Sequence, residues 1–309
     1  MRQRSLDAIY QLALRDERVV FIGSDLGVGT MKKFQAEMPK RFFMEGISEQ
    51  NIIGMAAGLA MDGFIPYVNT IATFLTRRCY EQIAVDLCLN NLPVRLIANG
   101  AGLVYAPLGP THIAIEDMAI MRALPHMTVV SPSDAEEMSR FIPQTLDWKG
   151  PVYVRLGKGG DPVVPQTDFA IGKAMKLRPA GEVAFVSTGI MTDYCLRAAA
   201  LLERNGVRAG VLHMATVKPM DVAALLEIAN SVRLLVTVEE HFLTGGLGSA
   251  VLEALNANGG AYQPVVHRMG LADAFTENYG SQEGLLDLYG LSPEKIAAST
   301  AAALGAKAA

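Results

Sequence analysis

The sequence predicts an α/β protein of two domains, a parallel-sheet domain followed by a smaller α/β domain. Three observations carry that prediction. Short apolar runs alternate with stretches of helical periodicity along nearly the whole chain, the pattern of a parallel sheet with helices on its faces. Half of the residues are apolar and only 19% are charged, which suits strands buried on both faces. The length, 309 residues, suffices for two separate cores.

In the first domain, 1–165, the apolar runs at 19–23, 41–44, 65–68, 94–99, 128–130 and 152–155 read as strands. Helical stretches from Ser5, then at 52–61, 73–90 and 134–148, lie between them. Asp134 opens the last of these after Ser131-Pro132-Ser133, with Glu137 three residues on, the spacing of a capping box. From Gly157-Lys158-Gly159-Gly160-Asp161-Pro162 the texture changes to prolines and isolated apolar residues, and 166–182 reads as a linker. Alternation resumes in the second domain, 183–309. Its strands are expected at 183–187, 209–213, 234–239 and 265–269, and its helices near 192–205, 221–229, 247–258 and 293–303. The halves share a rhythm but no residue-level repeat.

Composition narrows the function. The net charge of −4 comes without any acidic or basic block, so nucleic acid is not an expected partner. Cys79, Cys88 and Cys195 are odd in number and lack metal-ligand spacing, so neither a disulfide framework nor a metal site is expected in this chain. The N-terminal residues run into an amphipathic helix with no apolar signal core, and no run reaches the ~18 apolar residues of a membrane span. A cytoplasmic protein without a membrane partner is the expectation.

Ligands of open α/β sheets bind beyond the carboxyl ends of the strands. Four predicted loops leave such ends. They carry Ser24-Asp25 with Gly27 and Gly29, then Gly46-Ile47-Ser48-Glu49, then Asn69 and Thr70 ahead of Phe74, Arg77, Arg78 and Tyr80, and finally a Gly-rich loop ending in Thr111-His112. Glu49 stands at a helix start, where the dipole favours its ionised form, and the small residues behind it let a flat molecule approach. Taken singly, each residue has a structural reading. Glu49 complements a helix dipole, His112 caps a helix, Tyr80 belongs to a core, Arg77 and Arg78 form a solvated face, and Asp25 makes an Asx turn. The convergence of a carboxylate, aromatics, arginines and a histidine on one sheet edge is the site signal. Gly27 and Gly29 fall short of a dinucleotide fingerprint. Glu239-Glu240-His241 with Gly245-Gly246-Leu247-Gly248 reads as a strand end, tight turn and helix start.

Several spaced runs carry a family resemblance. Gly46-Ile47-Ser48-Glu49-Gln50-Asn51, Gly54-Met55-Ala56-Ala57-Gly58-Leu59-Ala60, Thr73-Phe74 through Tyr80, Gly109-Pro110-Thr111-His112 and Ser131-Pro132-Ser133-Asp134 are involved. In order and spacing they resemble the pyrimidine-binding domain of the thiamine-diphosphate enzymes of the transketolase group. Val238-Glu239-Glu240-His241 and Gly245-Gly246-Leu247-Gly248 resemble the group's C-terminal domain. The Gly-Asp-Gly and distal Asn of the group's diphosphate-binding domain are not found; Gly160-Asp161-Pro162 does not qualify. The chain therefore resembles the C-terminal half, the β subunit, of a split transketolase. The resemblance implies a separate N-terminal subunit that grips the diphosphate through Mg²⁺, in an α2β2 assembly with sites between chains.

By the same resemblance, Glu49 is the carboxylate that bonds the pyrimidine ring nitrogen, with Phe74, Arg77 and Tyr80 around the ring and Asp25 facing the cofactor across the interface. His112 faces the substrate near the reacting carbon, and Arg155 holds a phosphate or another anionic end group. Three positions depart from the group's pattern. Arg77 replaces a second pocket aromatic, Leu108 stands where many members have a hydroxyl-reading Asp, and Gly100 stands near where the group places another substrate histidine. The implied activity is transfer of a two-carbon ketol unit between phosphorylated or otherwise anionic sugars, with a substrate outside the standard pentose-phosphate pair or bound differently from it. The alternatives are a carboligase like 1-deoxyxylulose-5-phosphate synthase, which Phe74-Leu75-Thr76-Arg77 resembles, the β subunit of a 2-oxo-acid dehydrogenase, and a catalytically silent regulatory subunit.

Overall fold

Two sheets organise the computed structural model, which describes residues 1–24, 31–157, 159–165, 168–258 and 264–305. The strands are β1 (Val19–Gly23), β2 (Phe42–Met44), β3 (Ile65–Ile71), β4 (Arg95–Asn99), β5 (Thr128–Val130), β6 (Val152–Leu156), β7 (Met175–Arg178), β8 (Val183–Ser187), β9 (Ala209–His213), β10 (Thr216–Lys218), β11 (Leu234–Phe242) and β12 (Val265–Leu271). The first sheet runs β10-β5-β6-β4-β3-β1-β2 and the second β12-β11-β8-β9-β7. Every pairing is parallel except the edge strands β10 on β5 and β7 on β9. The central strands β1, β4, β6, β8 and β9 are buried at every position, as strands covered by helices on both faces must be. The fold class is as the sequence predicts.

The two halves are more entangled than a linker at 166–182 implies. β7 lies inside that segment and closes an edge of the second sheet. β10, from the second half, returns to the first sheet, where Thr216 pairs with Val130. One apolar cluster runs through both halves, from Leu6, Phe21, Ile97 and Val154 to Phe185, Leu202 and Val236.

Helices depart from expectation mainly in one place. The stretch predicted as a single helix over 73–90 is broken into Ala72–Thr76, Tyr80–Gln82 and a π-helical turn, Ile83–Cys88. The break presents two consecutive arginines, Arg77 and Arg78, beside the carboxyl edge of the first sheet. Short helices at Lys32–Glu37, Asp117–Ala123 and Gln282–Leu288 were not expected from the sequence. Asp134 caps the helix Ala135–Gln144 by accepting from the backbone N–H groups of Glu136 and Glu137 at 2.8 and 2.9 Å. Among the described residues no helix is long and apolar enough to cross a membrane.

Candidate active site

The site grows from the turn that follows β2. The Glu45 N–H bonds the Gly23 carbonyl at 3.0 Å, which ties this turn to the end of β1. The Ser48 hydroxyl donates to the Glu45 carbonyl at 2.8 Å, and the helix Glu49–Met61 starts at the next residue. Ile52, Ile53, Ala56, Ala57 and Ala60 bury one face of that helix, and the same packing draws Glu49 inward until it is only 2% exposed. A buried carboxylate requires a partner. Arg78 supplies it: Nη1 donates to Glu49 Oε2 at 2.7 Å. Gln50 fixes the backbone of the same arginine, donating from Nε2 to the Arg78 carbonyl at 3.0 Å.

The contacts continue in a line. The Arg78 guanidinium lies over the Phe74 ring, 4.4 Å from its centroid. Phe74 meets the His112 ring edge-on, with centroids 5.2 Å apart and planes at 67°. The Thr111 hydroxyl engages His112 Nδ1 at 2.8 Å, so Nε2 is the ring's remaining polar atom. Cys79 sits close behind, its thiol pushed up to about 12 by burial and by the Glu49 carboxylate. The structure thus brings Glu49, Phe74 and His112 together and adds Arg78, which the sequence offered only as a solvated face.

Arg77 and Tyr80 take another direction. Arg77 is ion-paired with Glu116 and donates to the Ile113 carbonyl at 2.9 Å. The Tyr80 hydroxyl donates to the Ile120 carbonyl at 3.2 Å. Both fasten the broken helix to the segment beyond His112. Asp25 lies outside the described residues.

Arg155 lies at the junction of the two domains. Its side chain is 4% exposed and pairs with Asp117 Oδ2 at 2.8 Å, the same oxygen that receives the Tyr153 hydroxyl at 2.7 Å. Its second nitrogen donates to the carbonyls of Ala114 and Glu240, at 3.1 and 2.8 Å. A guanidinium so engaged joins the two domains through Nε and Nη2.

Glu240 extends the same junction. Its carboxylate accepts the Leu103 N–H and the Gln282 amide, each at 2.8 Å, and burial raises it to about 7 against the pull of Arg155. Glu239 accepts the N–H groups of Leu247 and Gly248 at the start of the helix Leu247–Asn258, at 2.6 and 2.8 Å. The tight-turn and helix-start reading of that motif therefore agrees with the geometry.

The loop from Gly100 to Leu108 walls a cavity of about 550 Å³ beyond the ends of β4 and β6, lined by Asn99, Gly100, Tyr105, Leu108, Gly157 and Arg2 among others. From the second domain, Tyr279 packs so closely over Gly109 that a side chain there would collide with its ring. At the carboxyl ends of β3 and β4, the Thr73 hydroxyl and Asn99 Oδ1 are buried without a hydrogen-bond partner among the described residues. Buried polar atoms are rarely left unpaired, so this edge is chemically suited to a polar ligand.

The donor set fits the aminopyrimidine end of thiamine diphosphate: a buried carboxylate for ring nitrogen, and an aromatic face beside it. Among the described residues no three His, Cys, Asp or Glu side chains are placed to hold a metal ion.

Comparison with known proteins defines the class. Residues 1–160 match the model of the transketolase pyrimidine-binding domain, and 172–296 match that of the transketolase C-terminal domain. The chain belongs to the transketolase family. It is 36% identical over 302 residues to the 6-deoxy-6-sulfo-D-fructose transketolase subunit of Clostridium sp. strain MSTE9, covering 96% of this chain and 92% of that one. It is 37% identical over 291 residues to the 1-deoxy-D-xylulose-5-phosphate synthase of Caldanaerobacter subterraneus, covering 93% of this chain but only 46% of that enzyme. A solved structure described as a split-gene transketolase, an inactive β4 tetramer, superposes with a TM-score of 0.90 at 38% identity, over 98% of both chains.

Proposed function

We propose that this chain is the pyrimidine-binding subunit of a split, thiamine-diphosphate-dependent transketolase that moves a two-carbon ketol unit between sugars with anionic end groups. A separate chain holds the diphosphate and Mg²⁺, in an α2β2 cytoplasmic assembly. The observation that carries this reading is the Glu49 carboxylate, buried at a helix start beside Phe74 and His112. End-to-end similarity to a relative named as a transketolase subunit supports the split architecture.

When bound, the cofactor supplies a nucleophilic carbon and an electron sink. The protein positions it and controls protons. Glu49 accepts a hydrogen bond from the pyrimidine ring and shifts the ring's proton balance. Phe74 gives the ring an apolar face. His112, held through Nδ1 by Thr111, offers Nε2 to substrate hydroxyls. The cavity beyond β4 and β6 takes the sugar chain, with Arg2 on its wall as a cation for the end group. Phosphate and sulfonate both suit such a cation, and the sulfosugar named for the relative keeps the second in view.

The test is ketol transfer by this chain mixed with the partner subunit, thiamine diphosphate and Mg²⁺. Activity should require both chains, and Glu49→Ala should lower kcat by about 10²–10⁴-fold with the fold intact. Full turnover by the variant, or by this chain alone, overturns the reading.

A further inference from the structure

We infer that Arg78 is a place-holder for the cofactor's pyrimidine ring: without cofactor its guanidinium fills the space between Glu49 and Phe74, and it swings out when the ring enters. This rests on the reading of Glu49 and Phe74 as the pyrimidine pocket. The guanidinium is planar, donates N–H to the Glu49 carboxylate at 2.7 Å, and stacks 4.4 Å from the Phe74 centroid. An aminopyrimidine offers the same two features, a flat face and N–H donors, so the two groups compete for one place.

The need for a stand-in follows from burial. Glu49 is 2% exposed, and a buried carboxylate with no partner is costly, so pairing keeps the pocket formed before the ligand arrives. The exit is also present. The Arg78 side chain is 43% exposed, and Gln50 holds its carbonyl at 3.0 Å, so the side chain can turn about a fixed backbone. Arg77 is anchored instead by Glu116 and the Ile113 carbonyl. Arg78 is thus a positioning residue that lowers cofactor affinity by the strength of its own ion pair.

Two measurements on the two-chain complex test this. In calorimetric titration with thiamine diphosphate, Arg78→Ala should bind about tenfold more tightly than the natural chain, or about 1.4 kcal/mol, with Arg78→Lys in between. In phenylglyoxal labelling read by mass spectrometry, cofactor should raise Arg78 modification several-fold and leave Arg77 unchanged. Unchanged or weaker binding by Arg78→Ala, or protection of Arg78 by cofactor, overturns the inference while leaving the pocket reading intact. Absence of binding by every form would sink the pocket reading and this inference with it.

Discussion

Arg155 and Asp117 form a buried ion pair where the two domains meet. Asp117 is fully buried, and Arg155 is its cationic partner. Removing one member of such a pair strands the other, at a cost of about 3–5 kcal/mol. Arg155→Met should therefore lower stability by that amount in denaturant titration. A substrate-anion role would instead raise KM and leave stability unchanged. Gly102 makes a second residue-level prediction. It has φ +59°, and a side chain there would strike the Glu240 carboxyl. Gly102→Ala should destabilise the protein by more than the ~1 kcal/mol of an ordinary glycine replacement and loosen the His112 loop, read as faster amide exchange across 100–112.

Among the elements, the cap of the helix Ala135–Gln144 does two jobs. Asp134 accepts two helix N–H groups through Oδ1 and the Val164 N–H, at 2.9 Å, through Oδ2. Asp134→Asn keeps the cap, whereas Asp134→Ala should cost about 1–2 kcal/mol in thermal or denaturant unfolding. The elements also show what the sequence makes legible. β1, β5, β8 and β9 have the bounds their apolar runs predict, because central strands buried on both faces write themselves as unbroken hydrophobic runs. β7 and β10 are short edge strands set among charges and prolines, and only pairing with β9 and β5 makes them strands. The helix break at Arg77–Arg78 is hidden because the apolar spacing over 73–90 continues through it. For the same reason the sequence points to Glu49, Phe74 and His112 on one edge but misses that Arg78 pairs with Glu49. The Arg155–Asp117 pair is likewise hidden, because the two residues lie 38 positions apart and only the fold brings them together.

At the scale of the whole molecule, the two domains meet through buried ionisable groups, which gives stability a defined pH dependence. Burial raises Glu239 and Glu240 from 4.5 to about 7. A carboxyl raised in the folded state favours folding fully below its unfolded value, and that contribution is lost as pH rises through the folded value. Both contributions are therefore lost between about pH 4.5 and 7. Two others weaken it on the acid side. Burial pushes the Glu137 carboxyl up, but His213, 3.0 Å away, and Ser133 outweigh it and hold it below its ordinary value. Its stabilisation is present above its unfolded value and is lost as pH falls through its folded one. Burial lowers His241, so folding is also opposed as pH falls below the unfolded histidine value of about 6.5. The two glutamate contributions outweigh the single opposing histidine between about pH 4.5 and 7, so Tm should be highest near about pH 5 and fall to a lower plateau above about pH 7.5. Glu240→Gln removes one of the two raised ionisations while its side-chain oxygen still accepts the Leu103 N–H. The drop in Tm between about pH 5 and 7.5 should then be smaller than in the natural chain, whatever the variant does to Tm itself. An unchanged slope would mean that Glu240 is already ionised at neutral pH, held so by Arg155 across the domain junction.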